Sequence, residues 1–430
     1  MDGDVLASID PRLCVQCKAA RGLCGIDPCP LLAKVRHVMP KMAPMGKELF
    51  GSSPPALFVG RYGYPKVNVG PMLPPEHLPE AQARDLDAPG TWMDRFTIPE
   101  VVGLRSSLVR TTHHVRVDRA AGDKITNLSQ ELAIAARPVD TEVTLTRAPK
   151  WDLGHVGEFT APHGPTAEVE RATLAENVRV ERRMESVTSD TDLRAADALW
   201  DLYQSGTDPY QLERVLSAGM VGQGRRRRLV PTRWSITATD DTLGKELIDR
   251  VRDLPTIDKP MVFRGDGFGN LFLILLLPRA WGYDNIEVWL KGSFWAQGIG
   301  SDTTSWARDA VATADWEDHR GRTTYARTAG GYYAARLPIL EWMQANRRQA
   351  TAICLREITD EYTTPLGVWV VREACRRAMA TKPLMFEDMD AALRHMDRHA
   401  LHKGWQADAE LLQRIRRHPT LETFWNRTMR

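Results

Sequence analysis

The chain has little of several things that would place it in a class at once. Its net charge is only +2 at pH 7, so any affinity for nucleic acid must come from local patches and not from a globally basic surface. Its longest apolar run, Leu271 to Leu277 closed by Pro278, falls far short of the ~20 residues that cross a bilayer. That run reads as a buried strand, and a membrane partner is not expected. No internal repeat or low-complexity segment occurs, and no Gly-Lys-Ser/Thr phosphate loop is present. Cysteine is scarce, six in 430 residues. The acidic start Met1-Asp-Gly-Asp4 is not followed by an apolar leader segment, which sets the expectation of a reducing, cytoplasmic compartment. What is there, 43% hydrophobic and 26% charged residues, suits a globular chain of two or more domains.

Four of the six cysteines, Cys14, Cys17, Cys24 and Cys29, fall within sixteen positions. The two-residue spacing of the first pair lets one turn present two sulfurs to one ion, and four thiolates complete a tetrahedral structural zinc site. Two disulfides are the competing explanation, disfavoured in a reducing compartment, and an iron–sulfur cluster is the chemical runner-up. Cys354 and Cys375 sit in helical-looking sequence and read as small buried apolar residues.

At the other end, Leu421, Phe424 and Trp425 stand at i, i+3 and i+4 on a polar, Arg-studded terminus. One helical turn would present all three on one face, the helix-in-groove pattern of peptide recognition. Sliding-clamp peptides place a Gln ahead of such a triplet, and His418 occupies that place here. The competing reading is a C-terminal helix end packed on its own domain.

Between the ends, the prolines from Pro40 to Pro99 exclude long helices. Leu57–Val59, Lys66–Val69, Glu142–Leu145 and Trp234–Thr237 have strand composition, and Asn285–Leu290 alternates as a half-buried strand would. Leu337–Glu357, Val368–Ala380, Phe386–Arg398 and Ala407–Arg417 show helical apolar spacing.

Three internal stretches carry chemistry. Gly60 to Pro71 joins glycines to Arg61, Tyr62, Tyr64 and Lys66: the glycines would let backbone N–H groups approach an anion, and the tyrosines would stack on bases. Turn-and-strand punctuation is the plain alternative. Arg225, Arg226, Arg227, Arg228 and Arg233 put five guanidinium groups in nine residues, next to the stacking face of Trp234. Forked donors match phosphate geometry, and like charges in sequence gain from a polyanion; a solvated charge run is the plain alternative. Asp315, Glu317, Asp318 and His319 fall within five positions; a divalent ion is conceivable, but ordinary turn charge is the favoured reading because no second carboxylate motif pairs with it.

Taken together, the four-cysteine head, the stretch Phe58-Val-Gly-Arg-Tyr-Gly-Tyr-Pro65, the segment Leu229-Val-Pro-Thr-Arg-Trp-Ser-Ile-Thr-Ala238 and the C-terminal peptide resemble the archaeal DNA repair proteins of the Nre type, over essentially the whole chain. The resemblance implies a role in DNA damage repair, an N-terminal zinc finger on Cys14, Cys17, Cys24 and Cys29, and sliding-clamp binding through Leu421, Phe424 and Trp425. It gives no reaction and no catalytic residue. The expected architecture is mixed α+β: a zinc-finger head over 1–45, a mixed α/β body over 46–300, a mainly helical C-terminal domain over 301–412 and a flexible clamp-interacting tail over 413–430. Two functions stay open: a clamp-recruited repair factor that contacts DNA without catalysis, and a nucleotide-binding or metal-dependent nucleic-acid-processing enzyme. Convergence of Arg61, Tyr62, Arg228 and Arg233 on one pocket beside carboxylates would favour the enzyme, and a spread along an open face would favour binding.

Overall fold

Short strands separated by prolines and turns build one sheet early in the chain, and a second sheet forms from longer apolar strands later. The computed structural model describes residues 9–19, 21–26, 29–35, 44–119, 122–151, 160–296 and 310–417. The first sheet contains β1 (Glu48–Ser53), β2 (Leu57–Val59), β3 (Lys66–Leu73), β4 (Val109–Arg116), β5 (Val139–Leu145) and β6 (Thr166–Leu174), in the order β1-β5-β6-β4-β3-β2. Its pairings are antiparallel except for β4 with β6. The second sheet contains β7 (Met261–Gly267), β8 (Asn270–Leu277), β9 (Gly282–Leu290), β10 (Ala310–Glu317), β11 (Thr351–Ile358) and β12 (Leu384–Met385), in the order β10-β9-β11-β8-β7-β12. Only β9 with β11 runs parallel. The mixed α and β class expected from the sequence is therefore observed.

The chain forms two compact units. One comprises Leu31–Glu246 with Thr364–Trp369, and the other the described residues of Met1–Pro30, Leu247–Thr363 and Val370–Arg430. In the first, Leu57, Val59, Val67 and Val69 alternate on one face of the β2–β3 hairpin and pack with Val115, Val117 and Leu229. In the second, Leu273, Leu275, Ile286, Val288, Ile353 and Leu355 form a continuous apolar layer under the helices Met389–His399 and Glu410–Arg417, represented by Leu393, Met396, Leu412 and Ile415. A layer of this kind is the dominant stabilising term of the unit.

Three local expectations fail, each for a physical reason. Trp234–Thr237 is not a strand: it lies inside the helix Thr232–Val251, where Leu243, Leu247 and Val251 are buried and tertiary packing overrides local strand propensity. The helix through Leu337 ends at Asn346, with Arg347 in the left-handed region, and Thr351–Ile358 is a strand buried along its whole length. A short apolar run covered on both faces carries no alternation to distinguish it from a helix. Asn285–Leu290 is a strand, but its polar members are buried instead of exposed: Asn285 Nδ2 donates to Tyr283 Oη at 3.1 Å, and Glu287 is held by ion pairs.

Among the described residues no helix is long and apolar enough to cross a membrane. The clamp-type residues His418, Leu421, Phe424 and Trp425 lie outside the described residues.

Candidate nucleic-acid interface

The stretch from Gly60 to Pro71 is a hairpin turn joining β2 to β3, and its glycines serve the ladder. Gly60 N donates to Asn68 O at 2.8 Å and Gly70 pairs with Phe58, so these amides are committed to the sheet. Gly63 has φ +80°, and a Cβ there would lie 2.8 Å from Lys66 O, which is why the turn needs glycine. The anion-cradling reading of this backbone is thus replaced by turn punctuation. The side chains behave differently. Tyr62, Tyr64 and Lys66 point into solvent, and Arg61 lies over the Tyr62 ring at 4.5 Å while its Nη2 donates to Tyr62 Oη at 2.9 Å.

The arginine stretch docks on this hairpin. Leu229 enters the apolar cluster of β2 and β3, Leu229 N donates to Val117 O at 3.1 Å, and Val59 N donates to Thr232 Oγ1 at 2.9 Å. These contacts bring Trp234, in the first turn of its helix, against Tyr64 with ring centroids 5.2 Å apart and planes tilted by 55°. Arg225 and Arg226 lie on a single 3-10 turn, Gly224–Arg226, and with Arg228 they are exposed. Arg227 turns the other way: its Nε donates to Gly222 O at 2.7 Å and its Nη1 to Thr188 O at 2.6 Å. Burial lowers its pKa below the usual guanidinium value, and its work is to hold the loop. Arg233 is half-buried. The two stretches therefore meet, but as an open face of rings and guanidinium groups.

None of these exposed cations lines the cavity of about 80 Å³ found in the same unit. That cavity is walled by Phe58, Tyr210, Ile236 and Trp369, with Glu213, Arg214 and Ser235 among its polar groups. Also on its wall, Asp87 is clamped between Arg105 (Nη1–Oδ1 2.6 Å) and Arg214 (Nη1–Oδ2 2.8 Å). Arg105 is buried, and burial lowers its pKa. No motif marks this pocket in the residue order, because its wall residues are scattered from Ala56 to Trp369.

In the other unit, Cys14 and Cys17 lie on the helix Pro11–Cys17. Cys14 is pushed up to about 12 by burial and then by the neighbouring Cys29, Cys24 and Cys17, so the four thiols lie near one another, and none is in a disulfide. Among the described residues, however, no group of three or more His, Cys, Asp or Glu stands in an arrangement that holds a metal ion. The donor chemistry fits zinc while a closed tetrahedral arrangement is not displayed. The residue after Cys17 does something the sequence did not announce. Lys18 Nζ reaches Glu287 Oε2 at 2.9 Å, and Arg356 Nη1 reaches Glu287 Oε1 at 2.7 Å, all buried. Burial would raise the Glu287 pKa, but Lys18 and Arg356 outweigh it and hold the carboxyl below its ordinary value. A Cβ on Gly331 would lie 2.2 Å from Glu287 Oε1, so glycine at the start of the helix Gly330–Asn346 makes room for this carboxylate.

The acidic stretch Asp315–His319 is neither a metal site nor turn charge in its first half: Asp315 and Glu317 lie in β10 and are buried. Asp315 Oδ2 accepts from Arg322 Nη2 at 2.8 Å and from Arg327 N at 2.7 Å, and buried Glu317 pairs with buried Arg336 at 3.0 Å. These carboxylates are neutralised by arginines.

The structure thus defines an α+β protein whose first unit carries an open aromatic and cationic face and, elsewhere in its fold, a small, mostly apolar pocket. The family models described as "Archaeal Nre, N-terminal" and "Archaeal Nre, C-terminal" match residues 23–296 and 317–424, and the chain belongs to this archaeal Nre family. It is 37% identical over 396 residues to the protein named DNA repair protein NreA of Archaeoglobus fulgidus, covering 92% of this chain and 95% of that one. DNA repair protein NreB of the same organism is 35% identical over 414 residues, 96% and 99% of the two chains. DNA repair protein NreA of Haloferax volcanii is 38% identical over 338 residues, 77% and 78% of the two chains. No solved structure matches the chain.

Proposed function

We propose that this protein is a DNA repair factor that holds DNA on the face formed by Arg61, Tyr62, Tyr64, Lys66, Arg225, Arg226, Arg228 and Trp234, and is brought to its site of action by a sliding clamp bound to the tail around Leu421, Phe424 and Trp425. The repair role is supported by the names of the relatives. The observation that carries DNA contact is the exposed Tyr64–Trp234 ring pair, flanked by cations that extend into solvent. Stacked bases and phosphates are the ligands such a face suits. The cations spread over an open surface and stay out of the pocket, which favours binding over the nucleotide-processing alternative. Clamp recruitment is supported by the spacing of the three anchors, with His418 in place of Gln. The four thiols would hold one structural zinc, which would fix the head against the sheet that receives Lys18.

Fluorescence anisotropy with labelled single- and double-stranded DNA tests the reading. Binding that weakens in Trp234→Ala and in Arg228→Ala supports it, and binding indifferent to both changes rejects this face.

A further inference from the structure

The helix Met389–His399 buries Ala392, Leu393 and Met396 in the core of the second unit. Its other side carries Arg394, His395, Arg398 and His399, two i, i+4 pairs that form one stripe. Both arginines are exposed and both histidines half-buried. The histidine rings lie with centroids 4.2 Å apart and planes tilted by 31°, and Phe386 packs on His395 at 5.1 Å. His399 Nδ1 donates to His395 O at 2.9 Å, which commits that nitrogen and leaves Nε2 as the one that titrates. From the neighbouring strand β7, exposed Arg264 adds a further cation. The charged groups that bear on His395 are all positive: after partial burial, His399, Arg398 and Arg264 each lower its pKa. No carboxylate pairs with Arg264, Arg394 or Arg398 among the described residues. The helix dipole accounts for cations in the last turn. It accounts neither for Arg394 in the middle of the helix nor for Arg264 on another element.

We propose that this stripe binds phosphates of the DNA backbone, as a second contact on the unit that does not carry the Tyr64–Trp234 face. The inference rests on DNA being the ligand of the protein, as proposed above, and not on the first face. Guanidinium groups without carboxylate partners repel one another and gain from phosphates, which their forked donors fit. An i, i+4 histidine pair also suits a transition metal, but the arginines around this one repel a cation. The histidines add a property that arginines lack. In the free protein the surrounding cations disfavour the charged form of His395. A phosphate offsets that repulsion, so the imidazole takes up a proton as DNA binds. Affinity through this stripe therefore strengthens as the pH falls, the sign of a group whose pKa is lowered in the free protein and raised in the complex.

The test follows the anisotropy of labelled single-stranded DNA with the full chain. Arg394→Ala/Arg398→Ala should make the slope of log affinity against log salt shallower by about 1.4, since each phosphate neutralised contributes about 0.7, with the thermal transition kept because both side chains are exposed. Between about pH 7.5 and about pH 5.5 the affinity of the unaltered chain should rise by about three- to tenfold, the effect of one imidazole whose proton affinity rises about tenfold on meeting a phosphate. His395→Gln/His399→Gln should lose that rise. A measurement that needs no variant runs beside these: calorimetric titration of the unaltered chain with DNA in two buffers of different ionisation heat. Proton uptake on binding near about pH 6.5 supports the stripe, because none of the residues named on the first face titrates there. An unchanged salt slope in the arginine variant, or binding without proton uptake, overturns the stripe, and the first face stands if Trp234→Ala still weakens binding. Nickel held by the histidine pair, with DNA affinity indifferent to both double changes, overturns it in favour of a metal site. No DNA binding by the unaltered chain overturns both contacts.

Discussion

Tyr64 and Trp234, 170 positions apart in the chain, place their ring centroids 5.2 Å from each other, and each keeps 45% of its surface exposed. The contact joins two stretches that carry the same pairing of aromatic and cationic side chains. Ring pairs left in solvent add little to folding and much to recognition, since every base offers a π-face to stack on.

Trp234→Ala should weaken single-stranded DNA binding by about fivefold to 150-fold, the effect of losing about 1–3 kcal/mol of stacking. Trp234→Phe should keep most of the affinity, because the stacking face survives. Both changes should leave the thermal transition nearly unmoved, because the ring is half in solvent. Anisotropy at fixed salt and a calorimetric scan check the two halves of this expectation.

The strands and the meeting of these two stretches were partly legible in sequence, and the reasons are local. Lys66–Val69 alternates because Val67 and Val69 pack in a core while Lys66 is exposed and Asn68 half-buried, and that pattern survives in the residue order. Thr351–Ile358 shows no such alternation because both of its faces are covered, so its run of apolar residues looked helical. Arg227 was indistinguishable from Arg225, Arg226 and Arg228 in a run of four, although it alone of the four donates to the carbonyls of Gly222 and Thr188. The pocket and the Lys18–Glu287–Arg356 group were illegible because they are assembled across long sequence separations, with no spacing rule to betray them.

Lys18→Met should destabilise the unit that contains the second sheet by about 1–3 kcal/mol, less than the full cost of stranding a buried charge because Arg356 still pairs with Glu287. The double change Lys18→Met/Glu287→Gln should recover part of that loss. Denaturant titrations of the unaltered chain, Lys18→Met, Glu287→Gln and the double change measure the coupling.

Asp284 gives the stability a pH dependence. Burial raises its carboxyl from 3.8 to about 7, against the lowering effect of the Leu411 and Leu412 amides; Leu411 N donates to Oδ2 at 2.8 Å, and Oδ1 is buried without a partner among the described residues. A raised folded value means that the folded state keeps the proton longer than the unfolded chain does. The contribution is therefore fully present below about pH 4, erodes as the pH climbs, and is gone above about pH 7, a change of up to roughly 4 kcal/mol. Asp284→Asn should flatten this slope between pH 4 and 7 in urea midpoints measured across the range.

The tail should act separately from the folded units. A chain ending at Arg417, or the change Phe424→Ala/Trp425→Ala, should abolish calorimetric binding to the sliding clamp of the source organism while the thermal transition and the DNA affinity stay in place. His418→Gln should tighten clamp binding. One zinc per intact chain is expected by native mass spectrometry, falling to none in Cys17→Ser.

The most direct test of DNA contact through the arginine and aromatic face is the slope of log affinity against log salt for single-stranded DNA, compared between the unaltered chain and Arg225→Ala/Arg226→Ala/Arg228→Ala. Each arginine that neutralises a phosphate adds about 0.7 to that slope, so removing all three should make it shallower by about two units, with the fold intact because these side chains are exposed. An unchanged slope at unchanged affinity would show that this face does not hold the DNA.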